Sequence, residues 1–332
     1  SEDMLRNAER WTETTGDLEG VPENLLPGIL GMRFGAIAID TPRSERWSTP
    51  EDIDVIADLA YLPDGGYDTA AGACRGHLLD LYLPHDAVLR GGHTLPVYID
   101  IHGGGLIAGR KEQNQNLATW FAKEGYLTFV PDYRLVPETN VFGQITDVIN
   151  AFATVAERAE DFGGDLNQVF VVADSAGAFL ACMASSILRY PVKMQPVEDE
   201  LEENVPEAAK KLVIDAMGLQ SGMYYIYKGQ VGLLQNYYMS KGWKNHSYAE
   251  FIKPETYSKL VPPCYICTGK KDFLKKQTFG FKKCLENERV HHDYGFVSKK
   301  ETVHAFAALY PESESAVGVN REMIRFFDSF KK

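Results

Sequence analysis

Ser175 is the residue around which a reaction could be organised. It stands in Ala173-Asp174-Ser175-Ala176-Gly177, between an apolar run at 168–173 that predicts a buried strand and a small-residue stretch at 176–190 that predicts a helix. A serine on a tight strand-to-helix turn presents its hydroxyl as a nucleophile, and small neighbours are needed because strand and helix backbones come close there. The usual pattern is G-x-S-x-G, and here Ala173 replaces the first glycine. The competing reading of the motif alone is a helix N-terminus capped by Asp174 or Ser175.

A second motif favours the nucleophile. His102-Gly103-Gly104-Gly105 ends a predicted strand at 95–102, upstream of the serine. Glycines let backbone N–H groups approach a developing oxyanion without side-chain clash, so the expected donors are the amides of Gly103, Gly104 and Ala176. His102 is expected to shape this loop rather than to act as a base.

A serine needs a base, and the base needs a carboxylate to hold its tautomer. The chain order Ser, acid, His selects Asp272, after the predicted strand at 263–268, and His304, after the last predicted strand at 294–297. His291 and His292 are rivals for the base, but they precede or begin that last strand. Glu301 and Asp293 are rivals for the acid, without the strand-end setting of Asp272.

The elements that must position these residues alternate. Strands are predicted at 77–84, 95–102, 126–131, 168–173, 212–219, 263–268 and 294–297. Helices are predicted at 117–124, 143–161, 176–190, 273–288 and 316–330. This rhythm predicts an α/β fold, with a mainly parallel central sheet covered by helices on both faces. Two segments break it: residues 1–60, and 223–258 with its seven tyrosines and one tryptophan. Both are expected to form a cap over the active edge, leaving a core at 61–222 and 259–332. The aromatic side chains are expected mostly to pack a core, with a minority free to stack on sugar rings.

Composition excludes several classes. The 332 residues carry a net charge of −12 and no basic stretch, which argues against nucleic acid and anionic membrane surfaces as partners. The acidic run at 198–203 reads as a solvated loop. No apolar run is long enough to cross a bilayer. Residues 1–10 lack the apolar core of a secretion signal, although a start at Ser1 leaves room for a processed leader. Five cysteines, an odd and sparse set, suit a reducing compartment and a cytoplasmic protein. Cys264 and Cys267 form a C-x-x-C, but a strand would send their sulfurs to opposite faces, so neither a metal nor a redox site is expected.

Taken together, these motifs resemble the hormone-sensitive-lipase-like branch of the α/β-hydrolases. The resemblance rests on the glycine loop, Asp132-Tyr133-Arg134-Leu135-Val136-Pro137-Glu138, Gly163-Gly164-Asp165, the Asp174 to Gly177 turn, the loop carrying Asp272, and His304-Ala305-Phe306. It departs at Ala173 and Ala178, where glycine is common. It implies a serine esterase with an α/β-hydrolase fold and a helical cap, acting on short- to medium-chain esters without a cofactor. A homodimer is suggested by the resemblance alone. The Tyr133 to Glu138 stretch is implied to be structural. The triad alone does not separate esters from amides, so a peptidase or amidase stays open, as does a non-catalytic binding protein on the same fold. No strongly apolar lid segment speaks for an interfacial lipase. A deacetylase of acylated carbohydrates is the more particular expectation.

Overall fold

The computed structural model describes residues 49–331, apart from residues 86, 88–91, 93 and 229–233. Most of the segment expected to form the N-terminal cap therefore lies outside the described residues. An eight-stranded sheet runs through the rest. Its strands are β1 (Ile53–Ala60), β2 (Leu78–Pro84), β3 (Leu95–Ile101), β4 (Leu127–Pro131), β5 (Gly164–Asp174), β6 (Ala216–Gln220), β7 (Cys264–Gly269) and β8 (His292–Val297). The order is β1-β2-β4-β3-β5-β6-β7-β8, with β1/β2 and β2/β4 antiparallel and every later pair parallel.

The parallel strands from β3 to β7 are buried on both sides along their apolar runs, while β8 at the edge is partly exposed. One large hydrophobic core includes Val97, Ile99, Val169, Val171 and Leu219 from their inner faces, and a second on the opposite side includes Tyr98, Phe170, Val172 and Tyr265. The main helices are α1 (Gln115–Lys123), α2 (Val141–Arg158), α3 (Ala176–Arg189), α4 (Lys275–Asn287) and α5 (Glu314–Asp328). Asn140 caps α2 by accepting from the amides of Phe142 and Gly143, and Ser313 caps α5 at Ala316. Among the described residues, no helix is long and apolar enough to cross a membrane.

The structure departs from the sequence reading in three places. Residues 53–60, assigned to the cap segment, form the edge strand β1, paired antiparallel with β2. Its polar Asp54 and Asp58 and a bulge between Ile56 and Leu59 hide the alternation that would have revealed it. The strand expected at 212–219 begins only at Ala216, and Asp215 bridges to Val169 through both backbone and carboxylate. The aromatic residues of 223–258 join the main core. Tyr224, Tyr248 and Tyr257 are fully buried, with Tyr224 stacked on Phe281 and Tyr248 edge-on to Phe142.

The motif from Tyr133 to Glu138 ties this frame together. Arg134 donates to Asp147 on α2 at 2.7 Å and to Glu202 at 2.6 Å. His77 joins the same network between Asp64 at 2.7 Å and Asp147 at 3.2 Å. Burial pushes the His77 imidazole down, but its hydrogen bonds to Asp147, Cys74 and Asp64 outweigh burial and raise its pKa to about 10. His77 therefore folds as a cation. Its contribution to stability is fully present below its ordinary value of about 6.5 and is lost as pH rises through about 10. Urea unfolding followed from pH 6 to 10 should show the wild-type midpoint falling more steeply than that of His77→Gln. Parallel curves would show that His77 is not a folded-state cation.

Candidate active site

Ser175 sits between β5 and α3 with φ 49° and ψ −120°, a conformation seldom adopted by an L residue. The expected turn forms with Ala173 and Ala178 in place of glycines, both buried. The turn is held by its neighbours: the Ser175 amide donates to the Gln220 carbonyl at 3.0 Å, and the Ser175 carbonyl accepts from Met223 at 2.7 Å. Close approach explains the glycines. A Cβ on Gly177 would lie 2.1 Å from the Ile101 carbonyl oxygen, and one on Gly103 would lie 2.8 Å from the Ser175 Cβ.

The chain brings Ser175, His304 and Asp272 together from three separate strand ends. Ser175 Oγ lies 2.8 Å from His304 Nε2, and His304 Nδ1 lies 2.8 Å from Asp272 Oδ1. A carboxylate only accepts, so Nδ1–H donates to it and Nε2 is left to accept the serine proton. Asp272 also accepts from Thr268 Oγ1 at 2.6 Å and from the Leu274 amide at 2.8 Å. Burial pushes the Asp272 carboxyl up, but hydrogen bonds and charge from His304, with help from Thr268 and Ser221, hold it below its ordinary value. A hydroxyl on such an imidazole–carboxylate pair can lose its proton while attacking an acyl carbon.

The rivals stand elsewhere. His291 packs between Phe326 and Phe330, and His292 Nδ1 donates to the Val290 carbonyl. Asp293 lies on β8 opposite Tyr265, while the Nδ1 partner of His304 is Asp272.

The glycine loop requires one correction. The Gly103 amide, expected to serve the oxyanion, donates to Asp174 Oδ1 at 3.0 Å and is committed to that buried carboxylate. The amides of Gly104, Gly105 and Ala176 make no hydrogen bond to another described residue. His102 shapes the loop as expected. Its Nδ1–H donates to the Gly103 carbonyl at 2.7 Å, and its ring stacks on Tyr133 at 4.3 Å. Its Nε2 lies 3.3 Å from Asp132, an ion-pair separation without hydrogen-bond alignment.

Several supports carried no signal in the sequence. Asn114 bridges the buried carboxylates of Asp100 and Asp174 through one amide group, at 2.7 and 2.8 Å. Burial pushes Asp100 up to about 7 and also raises Asp174. Ser221, at φ 51°, accepts from the Ala305 amide at 3.0 Å and helps hold the Asp272 carboxyl below its ordinary value, so it supports both Asp272 and the residue after His304. A lone serine after a strand does not announce such a role.

Other potential sites are held by structure. Asp64, Cys74 and His77 bring three possible ligand atoms within 4.8 Å of one another, but both His77 nitrogens already face carboxylates. Cys264 and Cys267 enter the cores on opposite sides of the sheet, and burial raises both thiols.

The BD-FAE family model matches residues 79–278. Among curated proteins, the chain is similar to esterase LipQ of Mycobacterium tuberculosis, at 27% identity over 65% of this chain and 48% of that protein. It is also similar to a probable isoprenylcysteine alpha-carbonyl methylesterase of Oryza sativa, at 32% identity over 32% of this chain and 25% of that protein. The match thus spans between a quarter and a half of these relatives. The fold is that of esterase B from Lactobacillus rhamnosis, with a TM-score of 0.79 at 20% identity over 93% of this chain and 97% of that one.

Because the Asp272 pKa is depressed, its contribution to stability is present above about pH 3.9 and is lost as pH falls through the lower folded value. Ser221→Ala removes the hydroxyl that helps hold this carboxyl down and accepts from Ala305, at a cost of about 1.5 kcal/mol near pH 7. Acid unfolding followed by circular dichroism should then begin at a higher pH than in the wild type. An unchanged acid midpoint would show that the hydroxyl does not support Asp272.

Proposed function

The chain belongs to the BD-FAE family, and on that premise we propose that it is a serine carboxylic ester hydrolase working through an acyl-enzyme. One observation carries this reading: His304 lies 2.8 Å from both Ser175 Oγ and Asp272 Oδ1, with the serine on a tight strand-to-helix turn. Ser175 attacks the ester carbonyl while His304 Nε2 takes its proton. Asp272 stabilises the imidazolium, which then passes that proton to the departing alcohol. Water attacks the acyl-enzyme in the second half-reaction, with His304 again as base.

The oxyanion is assigned to the amides of Gly104, Gly105 and Ala176, since Gly103 is engaged by Asp174. Esterases such as LipQ among the relatives support ester over amide substrates.

The finer reading is a preference for short- to medium-chain acyl groups, with acetylated carbohydrates as the particular substrates to try. Burial of most aromatic residues at 223–258 leaves Tyr227, Tyr237 and Phe251, all only partly buried, as that segment's candidates for a sugar-stacking face. Of the segments expected to form a cap, the described part of the 223–258 insertion is proposed to cover the site.

Hydrolysis of p-nitrophenyl esters from acetate to palmitate is the direct test. A short-chain optimum is expected, and Ser175→Ala should lower kcat at least about 1,000-fold while keeping the fold. Full activity in that variant would remove Ser175 from the mechanism. A wild type inactive on every chain length and on acetylated sugars would favour a non-catalytic binding protein.

A further inference from the structure

Phe273 follows Asp272 directly and is 68% exposed. Its ring nevertheless lies against His304, with centroids 4.3 Å apart and planes tilted by 39°. The loop around it is secured by other means. Lys270 and Lys271 donate backbone N–H groups to Thr302, the Asp272 amide donates to the Gly269 carbonyl, and the Leu274 amide donates to the Asp272 carboxylate. The ring is thus not needed to fold the loop. It is a large apolar surface kept in solvent against the one imidazole that the reaction uses. Val303, on the other flank of His304 in sequence, is 43% exposed.

The mechanism fixes what must pass this surface. When the tetrahedral intermediate collapses, the bond from carbonyl carbon to alcohol oxygen breaks, and the proton on Nε2 goes to that oxygen. The oxygen must therefore come within about 3 Å of His304 Nε2. The next atoms of the alcohol then lie beside the imidazole, where Phe273 supplies the apolar wall. The acyl group instead stays with Ser175 and has no comparable requirement to meet His304.

From this geometry we propose that Phe273 lines the leaving-alcohol subsite and selects esters of ring-bearing alcohols, aryl and arylalkyl above all. The proposal rests on the serine esterase reading. A ring on the alcohol packs against the phenyl face in an offset or edge-on arrangement and covers apolar surface that is otherwise wet. Microscopic reversibility gives the same subsite a second use. An alcohol bound there can replace water in attacking the acyl-enzyme, losing its proton to His304 and leaving as a new ester while Ser175 regains its hydrogen.

The test compares wild type with Phe273→Ala, Phe273→Leu and Phe273→Trp on methyl and benzyl acetate, and on methyl acetate against methyl butyrate. It also measures how the acetyl-enzyme partitions between water and added benzyl alcohol, a ratio independent of the amount of folded enzyme. Phe273→Ala should lower the benzyl-to-methyl ratio of kcat/KM about fivefold and the benzyl acetate yield by a similar factor. The butyrate-to-acetate ratio should not move, leucine should restore part of the preference and tryptophan most of it. An equal loss on methyl and benzyl esters would make Phe273 a positioning residue acting through His304 and overturn the proposal. A change in the acyl ratio would place the ring on the acyl side and overturn it equally. A wild type without ester turnover would instead remove the underlying reading, and this one with it.

Discussion

The backbone at Ser175 is the constraint on which the rest of the site depends. A non-glycine residue at φ 49° and ψ −120° costs on the order of 1–3 kcal/mol and persists only where its surroundings over-determine it. Here the end of β6 and the segment after it supply the restraint, through Gln220 and Met223 on either side of the serine peptide. The reward is directional. The hydroxyl leaves the sheet where loops from β3, β7 and β8 converge, so residues about a hundred positions apart meet within hydrogen-bond distance. Gly103 and Gly177 permit this, because a methyl group on either would collide with the neighbouring turn.

Around that turn, the protein treats its carboxylates differently according to the donors each one meets. Asp272 receives the imidazole, a threonine hydroxyl, a backbone amide and Ser221, and it is held ionised. Asp100 and Asp174 share one amide group of Asn114 in a dry setting, and burial raises both. The carboxylate behind His304 is thus rich in donors, whereas burial dominates at the two carboxylates beside the glycine loop. His102 and Lys111 extend the pattern. Lys111 is buried against Asp58, Asp80 and Glu112 at 2.8 Å each, and its amide donates to Asp132, the ion-pair partner of His102.

The aromatic segment after β6 looked like a separate subdomain because its tyrosines and tryptophan are crowded and fit no strand or helix period. They are instead shared with the body of the protein. Tyr257 meets Phe179 of α3 and Phe281 of α4, so the helix that follows the serine and the helix that follows Asp272 are packed through one insertion. That arrangement couples the two loops that carry Ser175 and Asp272. Burial of these rings also shifts attention to Phe273, the large exposed ring that touches His304.

Much of this was legible in the chain because the signals are local. The alternation of apolar runs with helical spacing predicted seven of the eight strands and the helices that cover them, and the turn chemistry at Ser175, the order of Asp272 and His304, and the opposite-facing C-x-x-C sulfurs each follow from a few adjacent residues. What tertiary structure decided depends on residues distant in sequence. Edge strand β1 is defined by its pairing with β2, since its own polar residues disguise its period. The role of Gly103 turned on Asp174, 71 residues away, which takes the amide that a glycine loop alone would seem to offer. Ser221 and Asn114 gained their roles in the same way, from partners that only folding brings near. A hydrogen bond reaches about 3 Å, and which distant donor meets which acceptor at that range is set by packing, not by any pattern along the chain.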